Sequence, residues 1–411
     1  MLVLINGRQK QVDNFNCEIC SDKAGYYFYL PAVFQMGFSA ANYEKDFDHK
    51  HGDGFYFEEG KVKSKFSCGV ALMQTPFYAA GALISKTFSL NKDPYSNYYL
   101  FFISIGAAFY CILGLFFMRK WLQFYCSAKT ALLAVLLVFF GTNLLYYTLD
   151  ESLMSHLYSF SLFSGVLFAI KSFSETKSFR FFILFSICFS LAILIRPTNI
   201  LFGLFALLLD FKNIKTKLSL LLSLKNIITA VIIFLLILLP QLLYWKFAFG
   251  KYLVWSYKGE GFTNWNRPEF LIVWFSPQSG LFAYTPLIFF ILILSIVMIL
   301  KKIPNGVLVL FSFFIVSYLC AAWHQPFFGV CNFGKRPMIE YLPLLMLPFA
   351  LMLENFKTYN RTIRYSISAI LVLCVYYNLA LFSGFNTCFF GDTWDWHGFF
   401  ELFKKGMTII R

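Results

Sequence analysis

The chain has 411 residues, 59% of them hydrophobic and 54 of them Phe. Ordinary soluble domains are only about 45–50% apolar, so this composition excludes a purely soluble protein. The formal charge of +14 is the size expected of a nucleic-acid binder, but the Lys and Arg residues sit in short loops between apolar runs, which is a pattern of membrane topology and not of a basic groove.

Residues 1–65 are polar and charged, with HKHGDG and EEGKVKSK as loop-like pieces. The opening LVLI (2–5) is too short for a signal peptide, and it is expected to be the tail of a first membrane span lying upstream. The stretch CSDKAGYYFYLPAVF (20–34) puts Asp22 at the head of an aromatic segment. Ser21 is suited to cap a helix start and Asp22 to occupy its first turn, where a negative charge is favoured. Asp22, Tyr26, Tyr29 and Val33 recur at helical spacing, which predicts a helix lying along a membrane surface. Steadying a helix end is the ordinary duty of such an aspartate.

Residues 66–88 carry Gln74, Pro76 and several glycines and predict a re-entrant or juxtamembrane helix, with a poor membrane span as the alternative. Apolar runs then follow at 97–117, 130–148, 155–171, 179–195, 197–209, 226–245, 280–300, 305–323, 338–353 and 363–383. Each is read as a transmembrane helix, which needs about 20 apolar residues; the 197–209 run is short and begins at Pro197. The predicted fold is an all-α polytopic membrane protein with about ten or eleven spans and juxtamembrane helices and loops on its outer face. It divides into 1–96, a bundle over 97–383 with long loops at 246–279 and 324–337, and a tail over 384–411 in which HGFFELFKKG predicts an interfacial helix.

The loops alternate in charge. One set holds Arg119 and Lys120; Lys171, Lys177 and Arg180; Lys212, Lys215, Lys217 and Lys225; Lys301 and Lys302; and Lys357, Arg361 and Arg364. The other is poorer in Lys and Arg for its length: 150–154, the turn at Arg196, 246–279 and 324–337. The positive-inside rule makes the first set cytoplasmic. The Asp22 segment and the loops 246–279 and 324–337 then share the outer face.

Ionisable groups gathered on one membrane face are candidates for function because their burial is costly. The acidic ones are Asp22, Asp53, Glu58, Glu59, Asp150, Glu151, Glu260, Glu269 and Glu340; the basic ones are Lys63, Lys65, Lys258, Arg267, Lys335 and Arg336, with Arg196 at a helix start. One carboxylate among fixed cations suits group transfer from a lipid phosphate. The cations hold the leaving phosphate, and the carboxylate takes a proton from an incoming hydroxyl. His156 just inside a span is a candidate lining residue, and Glu260 lies with Tyr257, Phe262 and Trp265 in a mixture suited to a sugar face; helix packing and an aromatic belt are the plainer readings. Cys17 and Cys20 form a lone C-x-x-C, and His49, His51 and Asp53 a lone H-x-H-x-D, neither sufficient for a metal site. Outside the cytoplasm a disulfide is allowed, with Cys331 and Cys388 as further partners. There is no Walker loop and no dinucleotide fingerprint.

The order of short pieces resembles the polytopic glycosyltransferases of the GT-C fold that use polyprenyl-phosphate sugars, among them the protein O-mannosyltransferases and the aminoarabinose lipid A transferases. The pieces are SDKAGYYFYLPA (21–32), KFSCGVALMQTPF (65–77), SHLYSF (155–160), IRPTNIL (195–201), KGEGF (258–262) with FSPQSGLFAYTPL (275–287), and FGKRPMIEYLP (333–343). Each is weak alone, and together they span nearly the whole chain. The resemblance implies that Asp22 is the catalytic carboxylate and that Lys65, Lys335 and Arg336 bind the donor phosphate. Tyr26, His156, Glu260 and Glu340 then become substrate-binding candidates. Some members carry an acidic pair where this chain has Asp22-Lys23, which leaves Glu58 or Glu59 as a substitute base. Members differ in metal dependence, so a divalent metal stays open and no other cofactor is implied.

The expected function is transfer of a sugar from a polyprenyl-phosphate donor to an acceptor at the extracytoplasmic face of a bacterial inner membrane, with the bilayer and the lipid-linked donor as partners and no nucleic acid. A lipid or sugar transporter or flippase explains the spans equally well, although no internal repeat of the kind transporters carry is visible. A ligase moving whole lipid-linked glycans shares the donor chemistry.

Overall fold

The apolar runs become helices because only a helix satisfies its own backbone groups in a medium without water. The computed structural model describes residues 19–90, 93–257, 259–326, 332–385 and 391–410. The LVLI segment, Cys17, Lys258, Cys331 and Cys388 lie outside the described residues.

The first element is α1 (Asp22–Tyr27), continued by short turns through Met36. It does not lie along a surface. Lys23, Ala24, Gly25, Tyr26 and Tyr27 are all buried, and of the expected surface stripe only Val33 is well exposed. Asp22 does stand in the first turn, but Ser21 makes no side-chain cap, and its φ of 52° turns the chain sharply before the helix. The helix is pressed against the following loop by a backbone crossing: a Cβ on Gly25 would stand 2.3 Å from the Gly54 carbonyl oxygen, and one on Gly54 1.9 Å from that of Ser21.

Part of the polar region expected to be loop is a hairpin. β1 (Tyr56–Glu58) and β2 (Lys61–Lys63) pair antiparallel with Phe57 opposite Val62. Glu59 and Gly60 both have positive φ, the geometry of a tight two-residue hairpin turn. The segment after it forms one continuous helix, α2 (Gly69–Phe88).

The bundle follows: α3 (Asn97–Leu122), α4 (Ala128–Gly141), α5 (Ser155–Thr176), α6 (Phe179–Ile195), α7 (Ile200–Leu208), α8 (Leu224–Phe249), α9 (Leu287–Leu300), α10 (Gly306–Ala322), α11 (Arg361–Gly384) and α12 (Trp396–Ile410). Among the described residues four of these, α3, α5, α8 and α11, are long and apolar enough to cross a membrane. The pair Arg336–Leu345 and Leu347–Glu354, bent by 42°, makes a fifth if it is one span. The other apolar helices have 17 residues or fewer. The architecture is that of a helical, multi-pass membrane protein.

Several predicted spans are interrupted, each for a local reason. The 130–148 run breaks at Thr142, where the Thr142 hydroxyl bonds the Val138 carbonyl (2.6 Å) and Asn143 reaches across to the Phe333 carbonyl (3.2 Å). The 280–300 run breaks before Pro286, which has no N–H to continue the ladder. The bend near Met346 lies between Pro343 and Pro348. In the tail the expected interfacial segment lies within α12, packed on α11 so closely that a Cβ on Gly406 would stand 1.7 Å from the Ala380 carbonyl oxygen.

The helix with the most serines and a histidine, α5, is at the centre. In its most apolar window 83% of residues are buried, against 11% for the Leu/Ile-rich α8. Polar side chains in a bilayer are stabilised by other helices and aliphatic ones by lipid, so the least apolar span goes inside.

Candidate functional site

Two clusters of charged side chains stand at opposite ends of α5. At one end Asp22, Glu151, Arg196, Glu260 and Arg336 come together, and at the other Lys171, Asp210, Tyr125 and Asn305 do so. The polar contacts described below join loops of the same set.

At the first end Asp22, on the opening turn of α1, accepts a hydrogen bond from Arg336 Nη2 at 2.9 Å across 314 residues of sequence. Both side chains are partly exposed, 32% and 17%, so the pair can be reached from outside the protein. Lys23 points elsewhere, to Glu151 at 3.3 Å. The residue that stands where a second carboxylate was expected thus compensates an acid of the 150–154 loop. Lys65, which precedes α2, is 2.5 Å from Glu260, and the Ser256 hydroxyl bonds the Lys65 carbonyl at 2.6 Å. These contacts fasten the long 246–279 loop over α1. Its other side is fastened to α10 by Asn264 and Glu269, whose backbone N–H groups donate to the Ala322 and Ala321 carbonyls at 3.0 Å each.

Beneath this surface lies a buried cluster. Glu340 Oε1 accepts from His156 Nδ1 at 2.7 Å and from Arg196 Nη1 at 3.1 Å. The His156 and Glu340 side chains are 3% and 2% exposed. Three segments supply the cluster: the first turn of α5, the residue after α6, and the turn of helix leading into the bent pair. Tyr26 of α1 donates to Ser155 at 3.1 Å and so ties α1 to the same helix start. Tyr257 lies between them, its ring 6.0 Å from that of Phe66. Burial, with help from Tyr26, Asp22 and Glu260, pushes its hydroxyl far above the usual tyrosine range, so it acts as a neutral hydrogen-bonding wall.

Of the residues singled out in the sequence, Asp22 pairs with Arg336, Lys65 with Glu260 and His156 with Glu340, while Tyr26 bonds the start of α5. Lys335 does not face Asp22. It is buried, with Nζ donating to the Pro326 carbonyl and to Ser279 Oγ (3.2 Å), and so ties the 275–287 motif to the 324–337 loop. Burial pushes its ammonium down to about 7. Glu58 and Glu59 are both held by buried Lys63, at 2.7 and 3.0 Å, on the hairpin. Sequence reading undervalued Arg196; an arginine interrupting the apolar run 179–209 was the signal. Nothing local pointed to Lys23–Glu151.

Among the described residues no group of three or more His, Cys, Asp or Glu side chains is placed to hold a metal ion. His49 bonds Asp53 at 2.7 Å, and His51 bonds the Ile19 carbonyl at 3.0 Å. Cys20, two residues before Asp22, is disulfide-bonded.

No family model, curated protein or solved structure matches this chain.

Proposed function

We propose that this chain is a GT-C-type membrane glycosyltransferase of about ten or eleven spans, several of them short or broken. It would move a sugar from a polyprenyl-phosphate donor to an acceptor hydroxyl at the extracytoplasmic face of a bacterial inner membrane. The observation that carries the reading is the 2.9 Å contact between Asp22 and Arg336, which joins the proposed base and the proposed phosphate grip in one partly exposed pair at the Lys/Arg-poor end. The Cys20 disulfide beside it supports an oxidising compartment for that end.

The geometry suggests how binding readies the base. Arg336 is held by a carboxylate, and so is Lys65. A donor phosphodiester, which offers two non-bridging oxygens as a carboxylate does and gains a third as its sugar leaves, competes for both cations. Its binding to Arg336 releases Asp22 toward the acceptor. The acceptor oxygen then bonds to the anomeric carbon as the bond from that carbon to the phosphate oxygen breaks. The hydroxyl proton passes to Asp22, and polyprenyl phosphate leaves with the bonding electrons, stabilised by Arg336 and Lys65. Glu340, His156 and Arg196 form the buried cluster beneath, and Lys335 ties the 275–287 motif to the 324–337 loop.

The test uses purified protein in detergent with a labelled polyprenyl-phosphate sugar and candidate acceptors, read by mass spectrometry. Release of polyprenyl phosphate with a glycosylated acceptor is expected. An intact donor in detergent, with movement of uncut donor across reconstituted vesicles, would establish a flippase instead, and transfer of an entire glycan would establish a ligase.

A further inference from the structure

The opposite end of the bundle holds a cavity that the proposed reaction does not use. It lies where Lys171 and Glu175 of α5 face the turns after α7, about 24 Å along α5 from Ser155. Its volume is about 270 Å³, and its polar lining includes Lys171, Ser174, Lys177, Asp210, Thr216 and Lys217, with Leu209 and Leu220 as apolar wall.

Two of these groups are structural. Asp210 accepts from Lys171 at 2.8 Å, from Asn305 at 2.8 Å and from Tyr125 at 3.2 Å, while its own N–H donates to Asn305. This knot holds four turns of the chain together. The ammonium of Lys217, 5% exposed, donates to the carbonyls of Ala206 and Leu207 at 3.1 Å each and to that of Leu209. It thereby caps the end of α7, where a cation is favoured.

Other groups are not used up in this way. The buried Ser174 oxygen has no hydrogen-bond partner, although an orphaned buried hydroxyl is costly. Lys177 gives one N–H to the Ser174 carbonyl, and an ammonium has three. The lining thus combines three lysines against two carboxylates with hydroxyls pointing to one space. Lys212 and Lys215, both exposed, are the chain neighbours of the lining residues Asn213 and Thr216. Basic pockets between helices at the cytoplasmic side are built to take anionic headgroups.

We propose that this cavity binds a phosphate anion, with Lys177, Ser174 and Thr216 as its direct donors and Lys171 and Lys217 supplying charge. The volume leaves room for the group that carries the phosphate, so the ligand is a phospholipid headgroup of the Lys/Arg-rich leaflet or a soluble phosphate. The inference does not rest on the glycosyltransferase reading.

The full chain is tested in two arms. Native mass spectrometry from mixed phosphatidylglycerol and phosphatidylcholine micelles reads lipid retention, and thermal shift with inorganic phosphate reads the soluble source. The double variant Lys177→Gln/Thr216→Val removes donors without touching the Asp210 knot, and Lys212→Gln/Lys215→Gln removes charge from exposed chain neighbours outside the cavity. Preferential phosphatidylglycerol retention that falls about tenfold or more in the first variant and persists in the second supports a lipid ligand. Phosphate stabilisation with the same pattern supports a soluble one. Wild-type protein with neither preference, or equal loss in both variants, overturns the proposal.

Discussion

Replacing Asp22 by Asn separates two duties of this side chain, half of an ion pair and proposed proton acceptor. Charges about 4 Å apart attract by roughly 4 kcal/mol at an effective dielectric of about 20. Most of that is offset by desolvation and solvent screening, because Asp22 is 32% and Arg336 17% exposed, and pairs of this kind contribute about 1 kcal/mol or less in net terms. Asparagine keeps an oxygen that accepts the Arg336 N–H. Stability should therefore fall by no more than about 1 kcal/mol, a shift of at most a few °C in the melting midpoint. Loss of a general base slows turnover by about 100- to 10,000-fold. The assay follows release of polyprenyl phosphate under single-turnover conditions, with donor binding and thermal unfolding measured on the same preparations. A rate within tenfold of wild type, with the midpoint kept, would remove Asp22 as the base. A fall in rate that tracks loss of folded protein would leave it a purely structural residue.

Three further outcomes are expected. Glu340→Ala removes the carboxylate that Arg196 and His156 both bond, and breaking such a buried pair costs about 3–5 kcal/mol; thermal unfolding should show a large loss, with Glu340→Gln in between. Burial pushes Lys217 down to about 8, opposed by Asp210 and reinforced by Lys171. An unfolded lysine stays protonated to its ordinary, higher value, so above about pH 8 the unfolded chain binds the extra proton and this residue's contribution to stability rises with pH. Anion binding in the neighbouring cavity should weaken over the same range, measured by phosphate titration between pH 7 and 9. Single cysteines placed at Asp53 and Lys177 in a cysteine-free background should react oppositely with an impermeant maleimide on intact cells, the first labelled and the second only after permeabilisation; labelling of both from one side would refute the topology.

That the chain is built of apolar helices was legible from hydropathy, which is local and additive: a run of aliphatic residues is driven out of water whatever its neighbours are. The alternation of Lys and Arg between loops was legible for the same reason, and the ion pairs at the two ends of α5 each join members of one set. The breaks at Thr142, Pro286 and Met346 were less so, since each combines a local helix-breaker with a contact elsewhere, as Asn143 has with Phe333.

Composition and charge order were enough to indicate a helical membrane protein and to mark Asp22, Lys65 and Arg336 as candidates. Only the tertiary structure decided that Asp22 meets Arg336, that Lys23 turns to Glu151, that Lys335 is buried against Ser279, and that α5 occupies the centre. The reason is that lipid rewards every apolar helix face alike, so the sequence of a span says little about its neighbours. Lateral order is set by the few polar groups that find partners on other helices, and those partners lie up to 314 residues away.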